Sequence, residues 1–371
     1  MPSTPVRQNV ISHARRVVVK VGTNTLCHER GGLNRVAVAA LAGQISDLME
    51  GGIWVTLVAS GAIGAGMAEL SLPRRPKTMP MLQACAAVGQ GQLMREFHDI
   101  FASRGVRVAQ VLLTRDDFED RTRYLNIRNT LAALAECRAL PIINENDTVA
   151  VDEIRFGEND ILAALVTNML GADLLVFLTS VDGVIKDAAV LDVIEKVDGE
   201  TFALDSGSQS ALGSGGMSTK LTAADMVTRA GEVAVIANAN EPDILPRLLD
   251  GERLGTVFVP ARRKMSSRRR WIGQASRLKG KIVVDDGAAK ALAEKGKSLL
   301  PSGITAVAGK FGKGATVVVI DSRGQQVARG LTNYSAEQID RIKGLKSAQI
   351  AKVLGDKPYD EVIHRNNMTL G

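Results

Sequence analysis

The chain has 371 residues, of which 45% are hydrophobic and 4% aromatic, with 36 glycines, a composition typical of an α/β protein long enough for two domains. The first fifteen residues lack the apolar segment of a signal peptide, and the longest apolar stretch, Ile161–Leu178, is interrupted by polar residues and glycine, which argues against a membrane span. The net charge of +6 conceals a division, because residues 1–260 contain 24 Lys and Arg against 31 Asp and Glu, whereas residues 261–371 contain 22 against 9. An acidic body followed by a basic third indicates two modules with different partners.

The cysteines are few, odd in number and far apart, with no C-x-x-C spacing: Cys27, Cys85 and Cys137. This pattern argues against a disulfide framework and against a zinc site. We therefore expect reduced thiols in the core of a cytoplasmic protein.

The first predicted strand carries a lysine. Residues 16–23 read Arg-Val-Val-Val-Lys-Val-Gly-Thr, which predicts a short buried strand that brings Lys20 to a glycine turn. A lysine within a valine run is unfavourable unless the end of the strand faces an anion. The alternative is an edge-strand lysine whose ammonium group extends into solvent. A helix is predicted over 33–50, where apolar residues recur at helical spacing.

A second strand, predicted over 53–58, leads into the small residues Ala59–Gly66, which include Ser60. A strand, a turn of small residues and then a helix can bind a charged group at the helix N-terminus, although such a turn also serves close packing alone. Neither the dinucleotide fingerprint nor the Walker A motif is present. The segments that follow are predicted as a helix, a strand, a charged solvated loop and a helix, over 81–101, 106–113, 114–123 and 124–137. For the charged loop, a position beside the site and an oligomer contact are the alternatives.

Two clusters of acids and amides flank one connection. The apolar run 140–143 changes abruptly into Asn144-Glu145-Asn146-Asp147, as expected where a buried strand opens into a polar site. Further on, Glu158-Asn159-Asp160 begins an apolar helical run, where Asn or Asp can cap the helix while also facing a ligand. Taken singly, each cluster is also compatible with a surface turn or a helix cap.

The next predicted strand, 174–178, ends at Thr179-Ser180, which suits either a nucleotide or a plain turn. A Gly/Ser-rich segment, 213–220, then opens a helix predicted over 221–229. Its glycines let backbone N–H groups approach phosphate, and a cation such as Lys220 at a helix start is explained by a bound anion. The alternative is a flexible linker. The last body elements are a strand, a helix and a strand over 232–237, 242–249 and 256–259.

Repeated alternation of strands and helices predicts an α/β fold with a mainly parallel central sheet and helices on both faces. Ligands of such sheets bind beyond the carboxyl ends of the strands. The candidate residues that fall at this edge are Lys20, Ser60, the 144–147 cluster, Thr179 and Ser214.

The basic third has a different pattern. Arginines and lysines between 262 and 270 predict a solvated hinge, with nucleic-acid binding as the alternative. Short strands and small helices then predict a compact, mostly β barrel, with a capping box at Ser335-x-x-Gln338. The expected domains are a body over 1–262, a basic linker over 263–277, the barrel over 278–357 and a C-terminal tail over 358–371.

Several segments together resemble the glutamate 5-kinases of the amino acid kinase superfamily. They are Val18–Thr23, Ala59–Ile63, Ile143–Val149, Gly157–Asp160 and Ser214–Lys220. The tail, with Leu299–Ile304 and Gly330–Tyr334, resembles the PUA domain of many bacterial members. The resemblance covers nearly the whole chain, and it implies the amino acid kinase fold for the body.

The resemblance implies ATP-dependent phosphorylation of the L-glutamate γ-carboxylate, at the start of proline biosynthesis. It also implies Mg²⁺, feedback inhibition by proline and a homo-oligomer built from the kinase domain. By position, Lys20 and Lys220 would contact the phosphates while Asp160 holds them. Glutamate would contact Ser60, Asp147 and Asn159. The nucleotide would contact Thr179, Ser180, Ser214, Gly215, Gly216, Met217, Ser218, Thr219 and Lys220. No protein side chain is assigned as a metal ligand.

Two departures from the family affect the expected contacts with the adenine of the nucleotide. Ser180 stands where relatives often have Asp, and the segment after Gly183 is shorter than in some relatives. The chemistry nevertheless agrees with the residues present, because a carboxylate is already a nucleophile at neutral pH and the transfer needs alignment and charge neutralisation. Two alternatives are another carboxylate or carbamate kinase, and an RNA-binding protein that acts through its basic tail. No membrane partner is expected.

Overall fold

The structure is a computed structural model that describes residues 5–28, 32–150, 159–204, 216–260 and 265–370. The chain divides into two compact units, the first formed by residues 1–117 and 122–264 and the second by residues 118–121 and 265–371. In the described ranges, no helix combines the length and the apolar character needed to cross a bilayer.

The first unit contains an eight-stranded sheet in the order β3-β4-β2-β1-β5-β9-β10-β8. All neighbours pair in parallel except β9 and β10, so the mainly parallel sheet predicted from the alternation is confirmed. A separate two-stranded ribbon is formed by β6 and β7. The strands are β1 Arg16–Val21, β2 Trp54–Ala59, β3 Arg107–Leu113, β4 Ala139–Glu145, β5 Leu174–Thr179, β6 Ile185–Lys186, β7 Ala189–Val190, β8 Val193–Ile194, β9 Val233–Asn238 and β10 Thr256–Phe258.

The helices of this unit are α1 Pro5–Ile11, α2 Thr23–Leu26, α3 Arg35–Glu50, α4 Ala62–Glu69, α5 Met79–Ala102, α6 Arg115–Glu119, α7 Arg121–Glu136, α8 Asn159–Leu170, α9 Gly199–Ala203, α10 Met217–Ala230 and α11 Ile244–Leu249. The chain runs from β1 outwards to β2 on one side and returns to β5 on the other. Because the strand order reverses at β1, a crevice opens beside its carboxyl end, where ligands of α/β sheets bind.

Two expectations for the part of the chain before residue 140 were wrong. The charged segment 114–123 is not a loop, because α6 and the start of α7 occupy most of it, and α6 buries the side chain of Phe118 completely. Each helix buries apolar side chains, Phe118 in α6 and Tyr124 and Leu131 in α7, while Arg115, Asp116, Asp120 and Arg123 remain exposed. Cys137 is exposed rather than in the core, whereas Cys27 and Cys85 are buried as expected.

The second unit is built on a five-stranded sheet in the order β12-β11-β13-β14-β15, which confirms the mostly β architecture. Its strands are β11 Leu278–Val284, β12 Ile304–Ala308, β13 Thr316–Ile320, β14 Gln326–Leu331 and β15 Met368–Leu370, and its helices are α12 Ser267–Arg270, α13 Asp286–Lys295, α14 Ala336–Ile342 and α15 Ile350–Leu354. The predicted capping box is present at the start of α14. The sheet extends beyond residue 357, where the sequence predicted a separate tail, because β15 pairs antiparallel with β14.

The solvated hinge expected over 262–270 is wrong at its C-terminal end, where Arg270 is buried. A π-helical turn, Trp271–Ala275, follows α12, and Arg270, Trp271 and Ile272 are buried. The indole N–H of Trp271 donates to the carbonyl of Phe118 at 2.9 Å. A large aromatic side chain with a satisfied polar atom favours burial over solvation.

Candidate active site

The strand β1 delivers Lys20 to the face of the sheet that α8 covers. Side chains of a strand alternate between its two faces, and Val17, Val19 and Val21 point into the core shared with α3 and α5. Lys20 therefore points to the opposite face, where its Nζ lies 2.6 Å from Oδ1 of Asp160, the second residue of α8. The lysine within the valine run is thus explained by a buried counter-ion, and the edge-strand alternative is wrong because β1 is central.

The other oxygen of the same carboxylate is held by the first turn of α10. Lys220 Nζ lies 3.1 Å from Asp160 Oδ2, and the Thr219 hydroxyl is 2.9 Å both from that oxygen and from the Gly216 carbonyl oxygen. Lys220 Nζ is also 3.4 Å from the Gly216 carbonyl. Lys20, Asp160, Thr219 and Lys220 form what we call the charged cluster.

The charged cluster is buried and carries one more positive than negative charge. The side chains of Lys20, Asp160 and Lys220 are 7%, 0% and 9% exposed. Burial lowers the pKa of Lys20, and Lys220 lowers it further, while Asp160 opposes both effects. Burial raises the pKa of Asp160, but the two lysines, with hydrogen bonds from Lys20 and Thr219, outweigh it and lower the pKa. The excess positive charge of the cluster would be offset by a bound anion.

A neutral network lies directly beside this cluster. Asn159, the first residue of α8, donates through Nδ2 to Ser60 Oγ at 2.8 Å and to Asn144 Oδ1 at 3.0 Å. Asn144 Nδ2 donates to Gln90 Oε1 on α5 at 2.9 Å, and the Glu145 N–H donates to Asn144 Oδ1 at 2.9 Å. We call Gln90, Asn144, Asn159 and Ser60 the amide chain. It joins β2, β4, α5 and α8.

Helix N-termini supply further positive potential. Asn159 and Asp160 open α8, Gly216 precedes α10, and Ser60 lies two residues before α4. Between Ser60 and α4, Gly61 has φ of +110°, which favours glycine, and a Cβ there would also lie 3.2 Å from Cys27 Sγ, a tight contact. The positive ends of these helices favour a negatively charged ligand at the site.

The remaining candidates fall in different places. Thr179 ends β5, where its carbonyl accepts the Ala239 N–H at 2.7 Å, and Ser180 follows it at the surface. Asp147 lies in the turn after β4; burial lowers the pKa of Arg75 and the Asp147 carboxylate raises it, which indicates that the two charges lie near each other. Met217 and Ser218 are in the first turn of α10, and Ser218 is exposed. Ser214 and Gly215 lie outside the described residues.

A cavity of about 180 Å³ opens beside the carboxyl end of β9, bordered by Asp182, Asn238, Glu241 and Ile244. Asn238 Nδ2 donates to Asp182 Oδ1 at 2.7 Å, which ties the turn after β5 to the end of β9. On another wall, the buried Arg7 pairs with Asp192 at 2.5 Å. No pattern in the sequence predicted this cavity, because its walls come from segments far apart in the chain.

The site offers little to a bare metal ion. Both oxygens of Asp160 face lysine ammonium groups. Within the part of the chain that the structure describes, no three His, Cys, Asp or Glu side chains come together as metal ligands. A hard divalent cation can still enter with a polyphosphate, because Mg²⁺ keeps several water ligands and accepts phosphate oxygens.

Sequence reasoning missed Gln90, although its helix was predicted. A glutamine on an amphipathic helix carries no signal in the sequence that separates a site residue from a surface residue. For the amide chain, the informative feature of the sequence is Asn144 at the end of a buried strand. The sequence pattern points to Asn144 only as one member of the 144–147 cluster.

Comparison with known proteins agrees with this geometry. Residues 15–238 match the amino acid kinase family and residues 280–354 match the PUA domain. A glutamate 5-kinase of Caldanaerobacter subterraneus is 48% identical over 96% of this chain and 97% of its own length, and one of Moorella thermoacetica is 46% identical over the same shares. A glutamate 5-kinase of Geobacter sp. strain M21 is 44% identical over 98% of this chain and its own full length. The chain therefore belongs to the amino acid kinase family, within its glutamate 5-kinase branch, and it contains a PUA domain after the kinase domain.

Proposed function

We infer that the protein transfers the γ-phosphoryl group of ATP to the side-chain carboxylate of L-glutamate, forming L-glutamyl 5-phosphate in the first step of proline biosynthesis. The observation that carries this inference is the buried charged cluster, with its excess positive charge, beside the amide chain, in a chain 43–48% identical to glutamate 5-kinases. The cluster suits phosphates, and the amide chain suits a polar amino acid.

The charged cluster accounts for the transfer step. The glutamate carboxylate attacks without a general base, so the protein must align the reactants and offset the negative charge they bring together. In our proposal the Lys20 and Lys220 ammonium groups contact the transferring phosphoryl group and the adjacent phosphate oxygens. Asp160 acts as a positioning residue that holds both lysines, since each of its oxygens faces one of them.

We assign glutamate to the side of the site formed by Ser60, Asp147 and Asn159. The Ser60 hydroxyl and Asn159 are in direct contact, and Asp147 lies in the turn three residues after Asn144. A carboxylate such as Asp147 is a suitable partner for the ammonium group of the substrate. In our proposal the reacting carboxylate of glutamate points from this side of the site towards the charged cluster, which shares the start of α8 with the amide chain.

We assign the nucleotide to the Ser214–Lys220 segment and to Thr179 and Ser180. The start of α10 and the end of β5 lie on the same edge of the sheet, and the cavity beside β9 adjoins the latter. Its position supports binding of the base and ribose there. Asn238 and Asp182 would then supply polar contacts to the nucleotide that Ser180, which stands where relatives often have Asp, does not supply.

Mg²⁺ bound with ATP offsets phosphate charge. We propose that its ligands are phosphate oxygens and water, because the Asp160 carboxylate is committed to the lysines. The residues of this chain then orient the phosphates and exclude water around them.

The test is ADP release from the purified full-length protein with ATP, Mg²⁺ and a panel of acceptors. We expect release with L-glutamate and little with L-aspartate, N-acetylglutamate or bicarbonate plus ammonia. Release with one of the other acceptors but not with glutamate would assign the protein to another carboxylate or carbamate kinase. Loss of release on adding proline would support the further proposal that proline is a feedback inhibitor at or near the glutamate site.

Three further properties are proposals from the family resemblance and the residues. We assign catalysis to residues 1–262. We also propose that this domain forms a homo-oligomer, whose molar mass light scattering would measure. A cytoplasmic location agrees with three cysteines that are all free thiols.

The basic C-terminal third favours a second candidate role, RNA binding. After residue 260 the chain has 22 Lys and Arg but only 9 Asp and Glu. In the second unit, a cavity of about 670 Å³ is lined in part by Lys297, His364 and Arg365. RNA binding would weaken steeply with salt. If the protein shows no measurable binding to an unrelated RNA at low salt, this role is contradicted and the kinase proposal is unaffected.

A further inference from the structure

The orientation of the amide chain follows from one backbone group. The Glu145 N–H can only donate, and it lies 2.9 Å from one end of the Asn144 side chain. That end must therefore be the carbonyl oxygen. The orientation of the Asn144 amide, which is otherwise ambiguous, is thereby determined.

The next link is Gln90. With its oxygen towards Glu145, Asn144 directs its NH₂ group at Gln90, and the atom of Gln90 at 2.9 Å must accept. Gln90 Oε1 is this acceptor, and Gln90 is the partner on α5 that satisfies the Asn144 NH₂ group. Without it, a buried NH₂ group would lose its hydrogen bond, and the orientation of Asn144 would be held less firmly.

The orientation of Asn144 also determines the orientation of the Asn159 amide. The group of Asn159 that lies 3.0 Å from Asn144 Oδ1 must be its NH₂, which also donates to Ser60 Oγ. The carbonyl oxygen Oδ1 of Asn159 is then left over, and it is buried without a hydrogen-bond partner among the described residues. A buried carbonyl oxygen in this state is unfavourable until a ligand donates to it.

We propose that Gln90 is a positioning residue: by accepting from the Asn144 NH₂ group, it holds Asn144 in the orientation that the Glu145 N–H selects, so that Asn159 Oδ1 accepts a hydrogen bond from the α-ammonium group of the substrate. This proposal rests on glutamate phosphorylation as the function. Through this orientation the site distinguishes an amino acid from a dicarboxylate of the same length without an amino group, such as glutarate.

The test compares two variants of Gln90 with a matched control. Gln90→Met keeps the length of the side chain and removes the acceptor, whereas Gln90→Glu keeps an oxygen that can accept from Asn144. Gln92→Met makes the same change two residues further along α5, at a half-buried position outside the amide chain. If Gln90→Met does not fold, as judged by thermal melting, Gln90→Leu takes its place.

For Gln90→Met we expect the KM for glutamate to rise by about tenfold or more, while kcat and the KM for ATP change by less than about threefold. The inhibition constant of glutarate, measured as a competitor of glutamate, should stay nearly constant, because glutarate has no ammonium group. Gln92→Met should behave like the unchanged enzyme, whereas Gln90→Glu, which keeps an acceptor for Asn144, should show a lower KM for glutamate than Gln90→Met.

Equal weakening of glutamate and glutarate binding would mean that Gln90 supports the fold of the site without holding the orientation of Asn144, and would overturn the proposal. An unchanged KM for glutamate in Gln90→Met would overturn it as well. If the unchanged protein releases no ADP with glutamate, the proposed function itself fails. Measuring the unchanged protein beside the Gln90 variants therefore distinguishes a failure of the proposed function from a failure of the proposal for Gln90.

Discussion

Asn159 and Asp160 are neighbours in sequence, yet they serve two networks of opposite character. Successive residues of a helix differ in direction by about 100°, so at the start of α8 one side chain meets the amide chain and the next meets the charged cluster. The charged cluster has an excess positive charge, because two lysines share one carboxylate. The amide chain is neutral, and its hydrogen bonds define which atoms donate and which accept.

This difference predicts different consequences of substitution. Removing a charge from the charged cluster changes the electrostatic energy of the phosphoryl group, which is greatest in the transition state, so kcat should respond. Removing a member of the amide chain changes how well the substrate is recognised, so the KM for glutamate should respond. The variants below break one network at a time.

The largest effect is expected for Asp160→Asn. It leaves two lysines buried without their anion, which should reduce the free energy of unfolding by about 3–5 kcal/mol and lower kcat strongly. Chemical denaturation monitored by circular dichroism measures the first effect. The control is Glu252→Gln, which removes the partner of Arg247 at 2.6 Å on the surface and should leave the free energy of unfolding nearly unchanged. Similar losses in the two variants would contradict a buried, coupled cluster.

Lys220→Ala should come next. We expect kcat to fall by an amount equivalent to about 2–4 kcal/mol of transition-state stabilisation, by analogy with the loss of one donor to a developing negative charge. The fold should be retained, since Asp160 keeps Lys20 as a partner. Steady-state kinetics with saturating ATP and glutamate measure the effect. A normal kcat would remove Lys220 from the site.

A smaller effect is expected in the amide chain. Asn144→Ala removes the link between Gln90 and Asn159 and leaves the Glu145 N–H without its acceptor. Buried groups left unpaired in this way cost about 1–3 kcal/mol, which should appear mainly as a higher KM for glutamate. A fall in kcat with an unchanged KM would show that the two networks are not separate in function.

The smallest effect at neutral pH concerns Lys20. Burial lowers its pKa from the ordinary value of 10.5, and Lys220 adds to this shift. In our proposal the transfer step uses the protonated form of Lys20. As pH rises through the lowered pKa, the fraction of charged Lys20 falls, so kcat/KM for ATP should decline at a lower pH than an exposed lysine would allow. Lys20→Arg should move this decline to higher pH, because arginine remains charged. A pH profile identical in both proteins would exclude Lys20 as its source.

Much of the fold could be predicted from the sequence, because strand and helix periodicity are local properties. The alternation of apolar strands with helical segments indicates a mainly parallel sheet, and the parallel arrangement places Lys20, Ser60, Asn144 and Thr179 at one edge. The errors arose where burial depends on distant partners. The segment 114–123 and the hinge around Trp271 are polar by composition, but their few apolar side chains are buried.

The sequence by itself determined the chemistry available to this protein: two lysines, an aspartate and a set of amides, each at the end of a strand or the beginning of a helix. Only the tertiary structure decided that Lys20 and Lys220 share one carboxylate and that Gln90 joins the amide chain from α5. The period of a strand or helix tells which residues share a face, but it does not tell which element covers that face. That choice depends on the packing of segments far apart in the chain.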